Sequence, residues 1–432
     1  MLLFTFPIFL GSFFQSLYTT ADAVIVGRFA GKEALAAIES VFTLTKIPIN
    51  FFIGLSSSAT IIISQYYGAK RNAEVSDASH NAMLFSLVGG IALAVIGCIL
   101  SPFAIRLIRV PGEIVQDAQS YILIYFSGIV VSMLYNIGSG ILRALGNSKT
   151  PFYYLIVANA LNIILDLVFV VLFRLGVVGA ALATVLSQCL SAFLIVFFLT
   201  KTELPCKISF KKLRFYKKHI WEIFKLGLPI GIQSSLHPVS NTFVQSALNN
   251  LGVDSIAAWA ICGKLDFLSW TVSDAFCVSV STFVAQNYGA KQYLRAKKGV
   301  RAGFVMSLTS ISVISCILYF RSEFFAQFLV DDKNVILIAA QIMRFISPFY
   351  FIYAFCDVLP GAIRGTGETF TPMLITLLGT CAVKVLWIFS VVPLRPTLMT
   401  VLSCYPASWA ITALAYAVFY VKHFSKLTPL SN

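Results

Sequence analysis

Three apolar segments in the first half of the chain carry polar side chains at the spacing of one helix face. Residues that are three, four or seven positions apart lie on the same side of an α-helix. Two of the three stripes contain a carboxylate. The stripes are Gln15, Thr19 and Asp22 in the first apolar segment, Asn159, Asn162 and Asp166 in the fifth, and Thr184 and Gln188 in the sixth.

A carboxylate placed among amides and hydroxyls in an apolar segment can bind a proton or a small cation. Burial disfavours the bare negative charge, and a bound proton or cation removes that penalty. A polar stripe facing lipid would cost several kcal/mol, so we expect the stripes to face protein or water. A proton or Na⁺ can then compete with a cationic compound for Asp22 or Asp166, as an antiporter requires. A hydrogen-bonded packing network that binds no ion stays open as the second interpretation.

The second half of the chain carries a different polar set. Two segments of the first half recur later at a numbering offset of 221, and at that offset Asp22 and Asp166 correspond to Phe243 and Trp387. The two acids are therefore not repeated. Asp266 and Asp274 stand eight positions apart in another apolar segment, with Trp270 between them. The candidates for a cavity in this half are Gln233, His237, Asn241, Asp274, Tyr353 and Asp357. For His237, a proton relay and a hydrogen bond between helices both stay open.

The composition indicates an all-α polytopic membrane protein. Hydrophobic residues make up 58% of the 432 residues and charged residues only 12%, whereas a soluble domain carries about 25% charged residues. Apolar runs long enough to cross a bilayer predict about twelve helices, six in each half. We predict a first lobe over 1–200, a basic linker over 201–219, a second lobe over 220–422 and a tail over 423–432.

The two recurring segments predict two repeated lobes. SQYYGAK (64–70) recurs as AQNYGAK (285–291), and GILRALGNSKTP (140–151) recurs as GAIRGTGETFTP (361–372), both at the same offset of 221. We interpret both as turns between helices, in which Gly68 and Gly289 adopt the left-handed conformation. The turn residues are Gly68, Lys70, Arg143, Gly146, Gly289, Lys291, Arg364 and Gly367.

The distribution of basic residues predicts the orientation in the membrane. The loops on one side, together with the linker, carry far more Lys and Arg than the loops on the other side. By the positive-inside rule, this side is cytoplasmic and holds both termini. An even number of spans in each lobe gives the two lobes the same orientation. We therefore attribute the net charge of +14 to topology and expect no nucleic-acid partner.

The sequence contains none of the common enzyme motifs. A P-loop, a dinucleotide-binding glycine pattern, HExxH, GxSxG and a Cys/His metal-binding pattern are all missing from the 432 residues. The sequence therefore predicts a secondary transporter that is not an enzyme, has no cofactor and uses an ion gradient.

The chain resembles the multidrug and toxic compound extrusion (MATE) family. The resemblance rests on TTADAVIVGRFAGKEALAA (19–37), the YYGAK and NYGAK pair, and NIILDLVFV (162–170). It implies a V-shaped, two-lobe, monomeric exporter of organic cations in a bacterial cytoplasmic (inner) membrane. The exporter would be driven by inward H⁺ or Na⁺ through alternating access. It also implies a cation site, Na⁺ included, at Asp22, Asn162 and Asp166. The family commonly has Pro at the position of Leu167.

Two other functions remain open at this point. A lipid-linked precursor flippase of the same superfamily would gather Arg for phosphate, whereas the stripes of the first half hold acids and no Arg. Lys46, Arg344 and Lys384 lie inside apolar segments and keep the flippase open. A receptor or channel without transport activity is disfavoured by the two-lobe repeat.

Overall fold

Most of the described part of the chain is helical, and no strand occurs there. The computed structural model describes residues 1–214 and 216–427, without the side chains of residues 42, 43, 46 and 47. Residues 428–432 of the predicted tail and the Lys46 side chain therefore lie outside the description. The prediction of an all-α protein is confirmed.

Six long helices form the first half. They are α1 (Leu2–Phe29), α2 (Lys32–Gly68), α3 (Asn72–Leu107), α4 (Val115–Ala144), α5 (Lys149–Asp166) and α6 (Gly176–Lys201). A π-helical segment, Leu167–Leu172, continues α5 directly. The fifth span of this half is therefore one helix with a wider turn at its end.

The second half contains the same succession in shorter pieces. Its helices are α7 (Lys217–Asn249), α8 (Val253–Leu265), α9 (Phe267–Gly289), α10 (Tyr293–Ala326), α11 (Lys333–Ile346), α12 (Tyr350–Gly365), α13 (Phe370–Ile375), α14 (Val383–Ser390), α15 (Leu398–Leu402) and α16 (Cys404–Ser425). A π-helical segment, Thr376–Ala382, joins α13 to α14.

The helix boundaries repeat at the offset that the sequence predicts. Helix α2 starts at Lys32 and ends at Gly68, while α8 starts at Val253 and α9 ends at Gly289, which is the same offset of 221 at both boundaries. The left-handed glycines that precede these helices also correspond, with φ of 96° at Gly31 and 94° at Gly252. A residue without a Cβ adopts this conformation at little cost, so both turns favour glycine.

Ten helical segments in the described part of the chain are long and apolar enough to cross a membrane. Two further long helices are not among these ten, α2 with 37 residues and α7 with 33. The ten segments together with α2 and α7 agree with the predicted number of about twelve.

The YGAK turns close their helices in a way that differs from the prediction. The left-handed residues are Lys70 and Lys291, with φ of 58° and 57°, whereas Gly68 and Gly289 are the last residues of their helices. The Lys70 amide donates to the Tyr67 carbonyl, and the Arg71 amide donates to the Tyr66 carbonyl, both at 3.0 Å. This is a Schellman motif whose left-handed position is occupied by lysine. The prediction for the two glycines was therefore wrong.

The second pair of turns places glycine at the left-handed position. Gly146 and Gly367 have φ of 91° and 93°. Arg143 lies in the last turn of its helix, and the Arg364 guanidinium donates to the Pro360 carbonyl at 3.3 Å. The two arginines thus belong to the last turns of α4 and α12.

The described chain separates into two compact units. The first unit is Phe6–Gly231, and the second is Met1–Thr5 with the chain from Ile232 onward. The division falls inside α7, whereas the sequence analysis starts the second lobe at 220. The first part of α7 packs closely on α2, because Gly231 has no side chain against Gly54 and the Ser58 hydroxyl donates to the Ile223 carbonyl at 2.8 Å.

Two buried side chains of α3 hold the linker in the first unit. The Ser209 amide donates to His80 Nε2, and the Tyr216 amide donates to Asn81 Oδ1, both at 2.9 Å. A short 3₁₀ turn, Phe210–Lys212, lies between these two contacts. The predicted linker is therefore packed on the helices over this stretch.

Candidate cation site

The last turns of α5 carry a deeply buried polar pair. Asn162 is 1% exposed and Asp166 is 0% exposed. Neither atom of the Asn162 amide and neither oxygen of the Asp166 carboxylate has a hydrogen-bond partner among the described residues. Buried polar atoms are nearly always paired, and each unpaired one costs about 1–3 kcal/mol. Four such atoms on one helix turn therefore indicate a position where an additional group binds.

Asp22 belongs to the same site. Its side chain is half-buried, and the buried Oδ1 has no hydrogen-bond partner among the described residues. The Asp22 and Asp166 carboxylates interact electrostatically with each other. Two like charges in a region of low dielectric repel strongly, so binding one proton or one cation relieves both groups. The structure thus brings together the three residues that the sequence analysis names as a cation site.

Glu39 of α2 and three tyrosines surround this pair of acids. Glu39 interacts electrostatically with Asp22, and the Tyr18 hydroxyl interacts with both Asp22 and Asp166. The Tyr121 and Tyr125 rings of α4 stack with centroids 5.9 Å apart. Tyr121 is in electrostatic range of Asp22, and Tyr125 of Tyr18.

The sequence analysis missed these tyrosines, although a signal for one was present. Tyr18 stands four residues before Asp22 and therefore lies on the same helix face. Tyr121 and Tyr125 are also four residues apart, but nothing in the spacing within α4 links them to an acid on α1. Their place beside the site depends on packing between helices.

Among the other predicted residues of the first half, Gln15 and Thr19 interact with the Tyr18 side chain. Gln15 and Thr19 are exposed, and the Thr19 hydroxyl donates to the Gln15 carbonyl of its own helix at 2.9 Å. Asn159 is buried, and its Nδ2 has no partner among the described residues. Thr184 is buried and Gln188 is half-buried on α6, which packs against α5.

The donor set is suited to a proton or a hard cation. Carboxylate and amide oxygens are the ligands that hard cations prefer, while Zn²⁺ and softer metals prefer Cys or His. No group of three or more His, Cys, Asp or Glu side chains that could hold a metal occurs in the described part of the chain. The Asp22, Asn162 and Asp166 oxygens could hold Na⁺, and either carboxylate could hold a proton instead.

The backbone changes its helical form directly after Asp166. Regular α-helix ends at Asp166, and the π-helical segment begins at Leu167, whose side chain is 45% exposed. A π-helical turn leaves the regular hydrogen-bond pattern and is often found at functional sites. The π-helical segment therefore begins at Leu167, the position at which the MATE family commonly has proline.

The predicted polar residues of the second half belong to separate hydrogen-bonded groups. Gln233 Nε2 donates to Thr376 Oγ1 at 2.7 Å, while Asn241 Oδ1 accepts from Lys384 Nζ at 3.1 Å. Asp266 accepts from the Tyr350 hydroxyl at 3.1 Å. These contacts connect helices, and they account for several side chains that the sequence analysis assigns to a cavity.

Asp357 forms another group of the second unit. It interacts electrostatically with Asp274 and Arg364, and the Ser273 and Tyr353 side chains lie near it. Asp274 is exposed at this point. Asp357 therefore has a guanidinium nearby, whereas no cation acts on Asp166 among the described residues.

His237 lies near cations. It is half-buried and interacts electrostatically with Lys384 and Arg364. A proton on this imidazole would therefore add to positive charge that is already present. Whether it acts as a relay stays a prediction.

The comparisons with known proteins agree with the repeat. The MatE family profile matches residues 7–168 and again residues 229–389. The chain belongs to the MatE family. The two matches start at 7 and 229, which agrees closely with the offset between the repeated segments. MatE proteins are membrane transporters rather than enzymes, so the chain is an integral membrane protein of this class.

Individual relatives extend over nearly the same length. The chain is 28% identical to the probable multidrug resistance protein YoeA of Bacillus subtilis (strain 168), covering 97% of this chain and 92% of that protein. It is 25% identical to the multidrug export protein MepA of Staphylococcus aureus (strain MSSA476), over 85% and 81% of the two chains. A crystal structure described as MATE in the bent conformation matches with a TM-score of 0.92 at 20% identity, over 99% and 95% of the chains.

Proposed function

We propose that this MatE-family protein is a secondary active multidrug antiporter. It exports organic, often cationic, lipophilic compounds in exchange for inward H⁺ or Na⁺. The observation that carries the proposal is the unpaired, buried pair Asn162 and Asp166 beside Asp22 in the described part of the chain. The names of relatives such as YoeA and MepA support drugs as the substrate class.

The exchange follows from competition for negative charge. An inward-moving proton or Na⁺ neutralises one of the two charges on Asp166 and Asp22, which weakens their attraction for a cationic compound and releases it. The compound binds again only after the ion leaves on the other side. The Tyr18, Tyr121 and Tyr125 rings offer cation–π and stacking contacts near the acids.

An ion gradient is large enough to drive this exchange. One charge crossing 100 mV releases about 2.3 kcal/mol. A hundredfold concentration ratio of exported compound requires about 2.7 kcal/mol. For a compound without net charge, one inward ion therefore supplies most of the free energy. Exchange of one ion for one monovalent cation moves no net charge, so in that case the concentration gradient of the ion, or a second inward ion, supplies the free energy.

The chemistry of the site favours an exporter of cations over a lipid-linked precursor flippase. Arg344 is one of the basic residues that would support a flippase function. It pairs with Glu323 at 2.8 Å, and both side chains are more than 40% exposed. An arginine engaged at the surface does not contribute to a buried phosphate site. A monomer in a bacterial cytoplasmic membrane, with both termini in the cytoplasm, remains part of the proposal.

Gradient-driven efflux from liposomes tests the proposal. The purified full chain is reconstituted, ethidium is loaded, and a pH gradient and a Na⁺ gradient are imposed in separate experiments. We expect one gradient to drive efflux, and Asp22→Asn and Asp166→Asn to abolish it. Asp117→Asn is the matched control, because Asp117 is an exposed acid of the same unit, and it should export normally. Efflux by both site variants at the control rate would refute the site.

A further inference from the structure

The second unit contains a buried lysine that the cation site does not use. Lys384 lies in α14, just after the π-helical segment Thr376–Ala382, and is 3% exposed. Its ammonium donates to Asn241 Oδ1 at 3.1 Å and lies 4.3 Å from the centroid of the Tyr405 ring. The other titratable groups that interact electrostatically with it include the thiols of Cys356, Cys381 and Cys404.

No carboxylate pairs with this charge among the residues that the structure describes. No Asp or Glu there forms a salt bridge with the Lys384 ammonium. Removing an ammonium from water costs several kcal/mol unless it is paired. One amide oxygen and one aromatic face compensate only in part, since an ammonium has three N–H donors.

The groups around Lys384 differ from those around Arg364. His237 interacts electrostatically with both basic residues. Asp357 interacts with Arg364 and with Asp274, so Arg364 has a carboxylate nearby. The titratable groups that act on Lys384 are three thiols.

The ammonium has a single neutral hydrogen-bond partner among the described residues. Asn241, which accepts from Lys384, is exposed, and its amide oxygen is a weaker partner for an ammonium than a carboxylate oxygen. The Tyr405 ring packs against Trp259 and Trp409 with centroids 5.4 Å and 5.7 Å away. A flat compound that replaces Asn241 with its own carboxylate would thus meet aromatic rings beside the ammonium.

We propose that Lys384 recognises a carboxylate on the exported compound and thereby selects an acid over the corresponding ester. A single ammonium is a compact point charge and matches a monoanion, whereas a pyrophosphate requires several cations or guanidinium forks. This inference rests on the proposed export function. It concerns only the acidic group of the compound, and the basic group is left to the export mechanism proposed above.

Two dyes test the proposal because they differ at one group. Rhodamine 110 carries a free carboxylate, and rhodamine 123 is its methyl ester, with the same ring system. The ratio of their initial efflux rates from proteoliposomes cancels differences in the amount of active protein. We expect the wild-type chain to prefer the acid by about tenfold, in line with a close charge pair. Lys384→Met should bring the ratio close to one, and Lys384→Arg should retain part of the preference.

Asn241→Asp provides a second variant that keeps the lysine. It places a carboxylate where the amide oxygen now lies 3.1 Å from the ammonium, so the site is already filled and the preference for the acid should disappear. This variant decides the matter if Lys384→Met does not fold. Equal rates for the two dyes in the wild type, or an unchanged preference in folded Lys384→Met or in Asn241→Asp, would overturn the proposal.

Failure of the export function gives a different result. If the wild-type chain exports neither dye under any gradient, the antiporter proposal fails. Equilibrium binding of the two dyes to the purified chain in detergent still measures the preference for the acid. A tenfold tighter binding of rhodamine 110 that Lys384→Met removes would support the lysine site without transport, and equal binding would overturn it.

Discussion

The first unit leaves Asp166 and Asn162 buried without hydrogen-bond partners among the described residues, whereas the second unit connects several of its buried polar groups. There, Asp266 Oδ2 accepts from Tyr350 and Gln233 Nε2 donates to Thr376, while the remaining side-chain oxygen of each has no partner among the described residues. The two halves nevertheless share their helix boundaries at the offset of 221. The repeat therefore retains the scaffold, while the chemistry of the buried side chains differs between its copies.

The helix irregularities differ in the same way. In the first half, the π-helical segment starts after Asp166, at the end of α5. In the second half, it starts at Thr376, directly after the short helix α13 that opens the corresponding span. Each wide turn adjoins the unbalanced charge of its own unit, Asp166 in one case and Lys384 in the other. The contrast is in line with the two proposed sites, one for a cation at Asp166 and one for a carboxylate at Lys384.

The largest expected effect comes from replacing one acid in each unit. Asp166→Asn should lower gradient-driven ethidium efflux by about 100-fold or more, because the exchangeable charge is lost. Asp266→Asn keeps an acceptor for Tyr350, so efflux should stay within about tenfold of wild type. Initial efflux rates from proteoliposomes check both values. Equal losses in the two variants would contradict the division of roles between the units.

The thermal stability of the two units should respond in opposite directions. Tyr350→Phe removes the hydroxyl that donates to Asp266 and should destabilise the chain by about 1–3 kcal/mol. Asn162→Leu removes an unpaired buried amide and should stabilise it by about 1 kcal/mol. Thermal midpoints in detergent, measured by the fluorescence of the purified protein, test this. A destabilised Asn162→Leu would show that the amide is paired within the fold.

The smallest effect concerns the turns that the two units share. A non-glycine residue in the left-handed conformation costs about 1 kcal/mol, so Lys70→Gly and Lys291→Gly should each stabilise the chain by about 0.5–1 kcal/mol. Gly68→Ala and Gly289→Ala are the matched controls and should be nearly neutral or slightly stabilising. The thermal midpoints of the glycine and alanine variants, measured in the same way, test these expectations. Strong destabilisation by the alanines alone would favour the original assignment of the left-handed position to the glycines.

The scaffold could be predicted from the sequence because it depends on local patterns. The length of the apolar runs gives the spans, and the repeated segments give the offset of 221. The face shared by Asn162 and Asp166 follows from helical spacing alone. The left-handed residue at Lys70 was missed because sequence preference favours glycine there, whereas the hydrogen bonds from Lys70 and Arg71 determine which residue takes that position.

Contacts between helices could not be predicted in this way. The pairing of Lys384 with Asn241 joins residues 143 positions apart, and no periodicity within one helix reveals it. The same holds for Tyr121 beside Asp22, and for the exposure of Gln15 although it shares a helix face with that acid. A single sequence shows which residues share a face, but the partner of that face depends on how the helices pack.

Competition at the first-unit site is the most direct test of the account. Rhodamine 123 binding to the purified chain in detergent is measured while either the proton or the Na⁺ concentration is raised separately. The account predicts that one of the two ions displaces the dye from the wild-type chain and that this dependence is lost when Asp22 and Asp166 are both replaced by Asn. The account would be contradicted if dye binding to the wild-type chain were independent of both ion concentrations. It would also be contradicted if dye binding to the double variant depended on the ion as strongly as in the wild type.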